Sequence, residues 1–166
     1  MSTYNKFVLY LDSTLAMENA ALERLQRRVQ QTILEETKQK LQHHLEETKG
    51  QQERLRQLIT REGRTPTLEK GKLPISIPPE SIRNAMHTPM VLAEQELLES
   101  VEDTIIENAE VIGYNLLVQI ALKMNMGDAL VLLKQSFEEE ERMFEWLKAN
   151  APAMFAKLWS QIDSLR

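Results

Sequence analysis

Acidic residues interrupt the leucine-rich faces of four segments of this 166-residue chain. Glu18, for example, continues a stripe set by Leu15 and Leu22, where another leucine would be expected. The other interruptions are His44, Glu47, Thr48 and Gln51 between Leu41 and Leu55, Glu107 and Glu110 beside Tyr114 and Leu117, and Glu140 in line with Leu133, Phe137, Phe144 and Leu147. A carboxylate inside a core must be paired, protonated or bound to a metal. These positions therefore predict a buried polar site.

The chemistry that such a set predicts is metal binding by bridging carboxylates. Facing helices that each supply a carboxylate, two of them with a Glu-x-x-His pair, hold two iron or two manganese ions. This chain departs from that pattern, because Gly50 stands three residues after Glu47 and Met143 three residues after Glu140. The nearest imidazole is His44, which precedes Glu47 by one turn. We predict the metal-ligand set Glu18, Glu47, Glu107, Glu110, Glu140 and His44, the last as a ligand or as a residue that hydrogen-bonds one.

Each of these residues also has a purely structural interpretation. Glutamate is common on long helices, and in the run from Glu138 to Glu141 one member must face inward by chance. His44 is also typical of a core edge, and Tyr114 of a core tyrosine that donates its hydroxyl. Gln51 could simply satisfy its polar neighbours. It is the occurrence of acidic residues at a similar height on four helices that favours a metal site.

Composition limits the remaining function classes. The chain has no cysteine, so thiolate ligands and thiol nucleophiles are excluded, and any metal would be held mostly by oxygen. The net charge of -5 argues against nucleic acid as a partner, and Arg24, Arg27 and Arg28 are predicted to form a solvated helix face. The apolar runs are too short to predict a membrane span, and the N-terminus lacks a secretion signal. We expect a single domain over residues 1–166, located in the cytoplasm.

The elements that must position these residues are long helices. Leucines recur at three- and four-residue intervals from about Tyr4 to Gln30, which predicts the first helix. Thr32 with Glu35 reads as a capping box that opens a second helix, ending near Gly63. Residues 63–87 contain four prolines, so we predict a long crossover there, with a short helix over 80–86.

The second half of the chain predicts three further helices. Thr88 and Pro89 are typical of a helix start, and that helix is expected to run to about Asn125. A fourth follows from Gly127 to about Ala149, and Asn150 is expected to cap a short fifth helix from Pro152 to about 165. Two helical hairpins joined by a long crossover predict an all-α, ferritin-like four-helix bundle with a short fifth C-terminal helix.

Three stretches resemble one protein family. HHLEETKGQQERL over 43–55, IIENAEVIGY over 105–114 and LLKQSFEEEERMFEWL over 132–147 are similar to the YciE/YciF (DUF892) group of ferritin-like proteins. The resemblance implies a ferritin-like fold, a link to stress responses and, by analogy with rubrerythrins, carboxylates from Glu107 and Glu110 joined by Glu18, Glu47 and Glu140. Members of the family often carry a histidine where Gln51 stands and an acidic residue where Phe144 stands.

Two classes of function remain open. The first is an oxidoreductase with two metal ions, iron before manganese or zinc, bridged by Glu47 and by Glu110 or Glu140. Glu18 and Glu107 would be its terminal ligands, and peroxide or oxygen its small oxidant substrate. The second is a non-enzymatic helical homodimer with a structural or degenerate metal site. The sequence identifies no catalytic residue and no organic cofactor.

Overall fold

The chain forms four helices and no strand over residues 3–75 and 90–164, the part that the computed structural model describes. Helix α1 spans Thr3–Gln31, α2 spans Glu35–Arg61, α3 spans Leu92–Lys123 and α4 spans Gly127–Asp163. The predicted all-helical bundle is confirmed. The predicted short helix over 80–86 and the predicted helix start at Thr88 and Pro89 lie outside the described residues.

The four helices pack as two antiparallel hairpins. Residues 32–34 connect α1 to α2, and residues 124–126 connect α3 to α4, and each hairpin's helices pack closely on one another. Helix α1 also runs antiparallel to α3, since Arg24 bonds to Asp103 while Arg28 bonds to Glu96, earlier along α3. Helices α2 and α3 therefore point the same way, so the chain between them must return along the bundle. The structure accounts in this way for the predicted crossover.

The described part of the crossover lies along α1. Asp12 accepts a hydrogen bond from the backbone of Thr67 at 2.8 Å, and the Ala16 carbonyl accepts one from Gly71 at 2.7 Å. A Cβ atom at position 71 would lie 3.3 Å from the backbone of Ala16 and of Met17. Glycine allows this close approach because it has no side chain. The crossover thus packs directly on the helix that carries Glu18.

The predicted fifth helix is wrong as a separate element. Helix α4 continues through Pro152 to Asp163, so the described chain has four helices rather than five. The Asn150 side chain does not cap a new helix at Pro152. Its amide donates instead to the Trp146 carbonyl at 2.8 Å. The extension is stabilised by packing, because Leu158 and Ile162 are buried in a cluster with residues at the starts of α2 and α3.

The predicted capping box at the start of α2 is also wrong. The helix begins after Leu34, which makes no side-chain capping bond. The Thr32 hydroxyl donates instead to the Glu96 carboxylate at 2.9 Å. The same hydroxyl accepts a hydrogen bond from the Leu34 backbone at 3.3 Å, so Thr32 links the turn between α1 and α2 to α3.

Two of the three arginines predicted to form a solvated face on α1 are instead buried in a network, and the third is exposed as predicted. Arg28 is 1% exposed and donates to Asp103 at 2.8 Å and to Glu96 at 2.9 Å. Arg24 is also buried and donates to Asp103 at 2.9 Å, whereas Arg27 is 53% exposed. The acidic side chains of α3 compensate the charges of these two arginines. Removal of one member of the network would leave a buried charge with fewer partners. The network fixes the register of α1 against α3.

Helix α3 has an apolar outer face. By length and composition alone, α3 could cross a membrane, with 39% of its most apolar stretch buried, although a soluble protein's core helix passes the same test. Its exposed apolar stripe consists of Leu98, Val101, Ile105, Ile112 and Leu116. The inner face of the same helix carries the buried acids that follow. The expected absence of a membrane partner remains a prediction.

Two apolar clusters flank the middle of the bundle. One contains Leu15, Leu55 and Leu133, and the other contains Leu25, Leu41 and Met143. On α1, α2 and α4 the predicted site residues come between members of these two clusters, and on α3 they precede Tyr114 of the first cluster. The fold therefore places a polar layer between two apolar layers.

Candidate metal centre

All four helices contribute side chains to the polar layer. Glu18 comes from α1, His44 from α2, Glu107 and Glu110 from α3, and Glu140 from α4. None of these five side chains is more than 5% exposed. The structure thus brings five of the six predicted ligands into the interior, because each falls on the inward stripe of its helix.

His44 is the centre of the most compact group. Its Nε2 atom lies 3.0 Å from Oε2 of Glu107 and 3.6 Å from Oε2 of Glu140. One ligand atom from each of these three residues lies within 4.8 Å of the other two, so the group could hold a metal ion. Burial alone would lower the pKa of His44, but the charges of Glu107 and Glu140 outweigh it and raise that pKa well above its ordinary value. Without a metal, the imidazole is therefore protonated and serves as the counter-charge.

Glu47 lies beside this group and not in it. Its Oε2 atom is 3.2 Å from Nδ1 of His44, while its Oε1 atom is 3.4 Å from His43 and 3.3 Å from Arg142. Burial would raise the pKa of Glu47, but the hydrogen bond and charge of His44 and the bond from Arg142 lower it to about 2. An ionised carboxylate on Nδ1 leaves Nε2 as the nitrogen that faces the site, which is the usual arrangement behind a metal-binding histidine.

Glu18 is held by the buried Tyr114. The tyrosine hydroxyl donates to Oε1 of Glu18 at 2.6 Å, as expected for a core tyrosine. Burial raises the pKa of Glu18 to about 7 even though this hydrogen bond acts in the opposite direction. The pKa of Tyr114 is itself raised well above its ordinary value by burial and by the neighbouring Glu18. Tyr114 therefore remains a hydrogen-bond donor at neutral pH, with the other oxygen of Glu18 left free.

Gln51 is a site residue that the sequence did not single out as a ligand. Its amide NH2 donates to Oε1 of Glu140, and its side chain is fully buried. Burial raises the pKa of Glu140 well above its ordinary value, and burial with the charge of Glu18 does the same for Glu110. The available signal was spacing, since Gln51 lies two turns after His44 on one helical face.

Four buried oxygen atoms around this layer have no hydrogen-bond partner. They are Oε2 of Glu18, Oε1 of Gln51, Oε1 of Glu110 and Oε2 of Glu140. A buried polar atom without a partner costs roughly 1–3 kcal/mol, and more if it carries charge. Unpaired acceptors on four helices are what a bound cation would satisfy. The residues present therefore fit a metal centre built mainly from oxygen, with one imidazole.

One protein family and several solved structures are similar to this chain, and the structures share its fold. Residues 3–158 match the model of a protein family described as a domain of unknown function, DUF892. No curated protein matches the chain. A solved structure from Xanthomonas campestris is 16% identical, with a TM-score of 0.81 over 98% of this chain and 99% of that one.

Two further solved structures are similar over most of their length. YcfI from Rhodopseudomonas palustris is 19% identical, with a TM-score of 0.71 over 89% of this chain and 94% of its own. The E. coli stress protein YciF is 22% identical, with a TM-score of 0.73 over 95% of this chain and 99% of its own. At these identities the likeness shows the fold alone.

Proposed function

The chain belongs to the DUF892 family, and we propose that it is a ferritin-like metal-binding protein whose centre holds two metal ions and reduces peroxide or oxygen. The observation that carries the proposal is the convergence of unpaired, buried carboxylate oxygens from α1, α3 and α4 beside His44. Hydrogen bonds within the described residues do not satisfy these oxygens, whereas metal ions would.

Charge balance favours two divalent ions. Glu18, Glu107, Glu110 and Glu140 carry four negative charges when ionised, and two divalent ions compensate them without any proton. One divalent ion would leave two carboxylates to be neutralised by protonation or by His44. Because an uncompensated buried charge is strongly unfavourable, the two-ion state is the one in which all four acids can act as ligands.

The proposed ligand roles follow from the contacts. His44, Glu107 and Glu140 would hold one ion through the atoms that already lie near one another. Glu18 and Glu110 would supply oxygens to the other. Glu47 would orient His44 through Nδ1 in place of the bridging role that its spacing suggested.

The donor set favours iron, with manganese or zinc as alternatives. Carboxylate oxygens with a single imidazole suit iron and manganese, and a helical layer without thiolates offers nothing that selects softer ions. A bound iron pair would supply the two electrons that, with two protons, convert hydrogen peroxide to two molecules of water.

The protein itself would exclude water and admit only small molecules. Apolar clusters close the polar layer on both sides. A cavity of about 10 Å³ lies beside Glu107, lined also by Arg24 and Asp103. That is about the space that one water molecule occupies. So small a space beside one of the proposed ligands favours a small oxidant substrate over an organic one.

The proposal includes a place in a stress response within the cytoplasm. Its support is the likeness to YciF, which is described as a stress protein. The chemistry agrees, since a centre that consumes peroxide would limit oxidative damage.

Elemental analysis of untagged protein from iron- and manganese-supplemented cells tests the metal centre. We expect about two metal ions per chain in the parent, and almost none after the double substitution Glu18→Ala, Glu140→Ala. The matched control is Glu138→Ala, Glu141→Ala, which removes two exposed acids from the same run on α4. Circular dichroism checks that helicity is kept, and peroxide consumption by the metal-loaded parent tests the reaction. Absence of bound metal in the parent would contradict the proposal.

The second candidate function is a non-enzymatic homodimer, favoured by the exposed apolar stripe on α3. Leu98, Val101, Ile105, Ile112 and Leu116 follow intervals of three, four or seven residues, which is the spacing of a helix-pairing face. If the stripe pairs two copies, Ile112→Lys should halve the mass measured by light scattering. The control is Val131→Lys, because Val131 is equally exposed but lies on α4. A monomeric parent would contradict this candidate.

A further inference from the structure

The free donor atoms of the centre fall into two sets of unlike chemistry. One set contains a nitrogen, Nε2 of His44, with Oε2 of Glu107 and Oε2 of Glu140. The other contains oxygens alone, from Glu18, Glu110 and Gln51. The second nitrogen of His44 already faces Glu47, and His43 is 67% exposed and also contacts Glu47. Within the described residues the second set therefore has no imidazole.

The Gln51 amide is the most informative member of the second set. A buried carboxyl can take up a proton when it lacks a partner, but an amide oxygen cannot. The amide NH2 of Gln51 donates to Glu140, which leaves its Oε1 atom buried without any partner. A bound cation would satisfy this oxygen without a further protein donor.

The helix register places Gln51 at the height of Glu18. Gln52 donates to the side chain of Asn19 at 2.8 Å, so residues 51 and 52 of α2 lie opposite residues 18 and 19 of α1. Tyr114 reaches Glu18 from α3, and Glu110 is one turn away from Tyr114 on the same helix. The charge of Glu18 also raises the pKa of Glu110, so these two carboxyls are neighbours. The three members of the oxygen set therefore lie within roughly one helical turn of one another along the bundle.

We propose that the centre has two unlike subsites, and that the amide oxygen of Gln51 completes the all-oxygen one, which takes a hard divalent cation such as Mn²⁺. The inference rests on the proposed function, because it requires that the centre binds two ions. The subsite of His44 takes the ions that prefer nitrogen, such as Zn²⁺ or Fe²⁺. Imidazole suits those metals, whereas carboxylate and carbonyl oxygens suit Mn²⁺. Gln51 is thus the residue that sets metal choice at the second subsite.

Separate titrations of the metal-free protein with Zn²⁺ and with Mn²⁺, against a competing chelator dye, test the proposal. Zn²⁺ generally binds more tightly than Mn²⁺, so each metal is compared between its own two steps. We expect two binding steps for each metal, the first Zn²⁺ ion filling the subsite of His44 and the first Mn²⁺ ion filling the all-oxygen subsite.

Two neighbouring glutamines provide a matched pair of variants. Gln51→Met removes the amide oxygen and should weaken the first Mn²⁺ step by roughly tenfold or more while leaving the first Zn²⁺ step unchanged. Gln52→Met removes a buried amide of the same helix that bonds to Asn19 and should change neither step. Gln51→His adds an imidazole to the all-oxygen subsite and should strengthen the second Zn²⁺ step. His44→Gln should weaken the first Zn²⁺ step and leave the first Mn²⁺ step unchanged.

The outcomes separate this inference from the proposed function. If the parent binds no metal, the metal centre itself is refuted. If the parent binds two ions with the same metal preference at both steps, or if Gln51→Met behaves like Gln52→Met, the metal centre stands and the unlike subsites are refuted. Binding of a single ion also refutes them.

Discussion

Replacing Glu18 by glutamine should stabilise the metal-free protein at pH 8 and change its stability much less at pH 5. Burial raises the pKa of this carboxyl from 4.5 to about 7, so the folded protein keeps a proton that the unfolded chain releases. A carboxyl with a raised pKa contributes stability that is present below the unfolded pKa and is lost as the pH rises through the folded pKa. The parent therefore loses stability between about pH 4.5 and pH 7.

The expected size of the effect follows from this gap of about 2.5 pH units. At ~1.4 kcal/mol per unit, the metal-free parent loses about 3.5 kcal/mol that the glutamine variant keeps. For a chain of this length, that difference raises the melting temperature by roughly 7–14 °C. At pH 5 little of the titration has occurred, so the variant should gain only about 1 kcal/mol or less. Glutamine has nearly the shape of glutamate, and its amide oxygen can still accept the Tyr114 hydroxyl.

Urea denaturation at pH 5 and pH 8, with a chelator present, measures the difference. The control variant is Glu141→Gln, because Glu141 is exposed on α4 and its loss should leave the free energy of unfolding unchanged at both pH values. A Glu18→Gln variant that is less stable than the parent at pH 8 would refute the reasoning. So would a stability gain of equal size at the two pH values, since that would not depend on titration.

Two further predictions concern the contacts that hold the bundle together. Arg28→Met should lower the free energy of unfolding at pH 7 by about 3–5 kcal/mol, because it leaves Glu96 buried without a cationic partner and removes one of the two arginines that pair with Asp103, whereas Arg27→Met should have little effect. Urea denaturation would measure both, and a loss from Arg28→Met as small as that from Arg27→Met would contradict the buried network. Gly71→Ala should loosen the crossover, because the added methyl group would lie 3.3 Å from the backbone of Ala16. Limited proteolysis would then cut the crossover faster than in the parent. An unchanged rate would show that the backbone shifts to accommodate the methyl group without loosening the crossover.

The long helices and the inward acids could be predicted because both follow from helical spacing. Leucines at three- and four-residue intervals define a buried face, and a glutamate on that face must enter the core. Glu18 and Glu140 are examples, and both are buried. The ligand roles of the six predicted residues remain untested.

The direction in which each side chain points could not be predicted from the sequence. His44 and Glu47 share one helical face, so spacing indicates that both approach the site but not which atoms face it. The structure turns the Glu47 carboxylate toward Nδ1 of His44, where Arg142 of α4 also contacts it. That arrangement depends on a residue from another helix.

Two predictions were wrong because local sequence signals do not include tertiary contacts. Asn-Ala-Pro is typical of a helix start, yet packing of Leu158 and Ile162 against the starts of α2 and α3 keeps α4 continuous. Arg24 and Arg28 were predicted to be exposed to solvent because arginine is rarely buried without an acidic partner. Their partners, Glu96 and Asp103, are distant in sequence, although they are spaced by seven residues on one face of α3.

The division of the donors between the two hairpins has a consequence for folding. The first hairpin supplies Glu18, His44 and Gln51, and the second supplies Glu107, Glu110 and Glu140. Each hairpin makes mostly local contacts and can form early, whereas the centre is complete only after the two halves dock. An ion bound between them would therefore stabilise the docked state and slow the separation of the halves. Metal loss would then appear as a faster opening between intact hairpins and not as melting of individual helices.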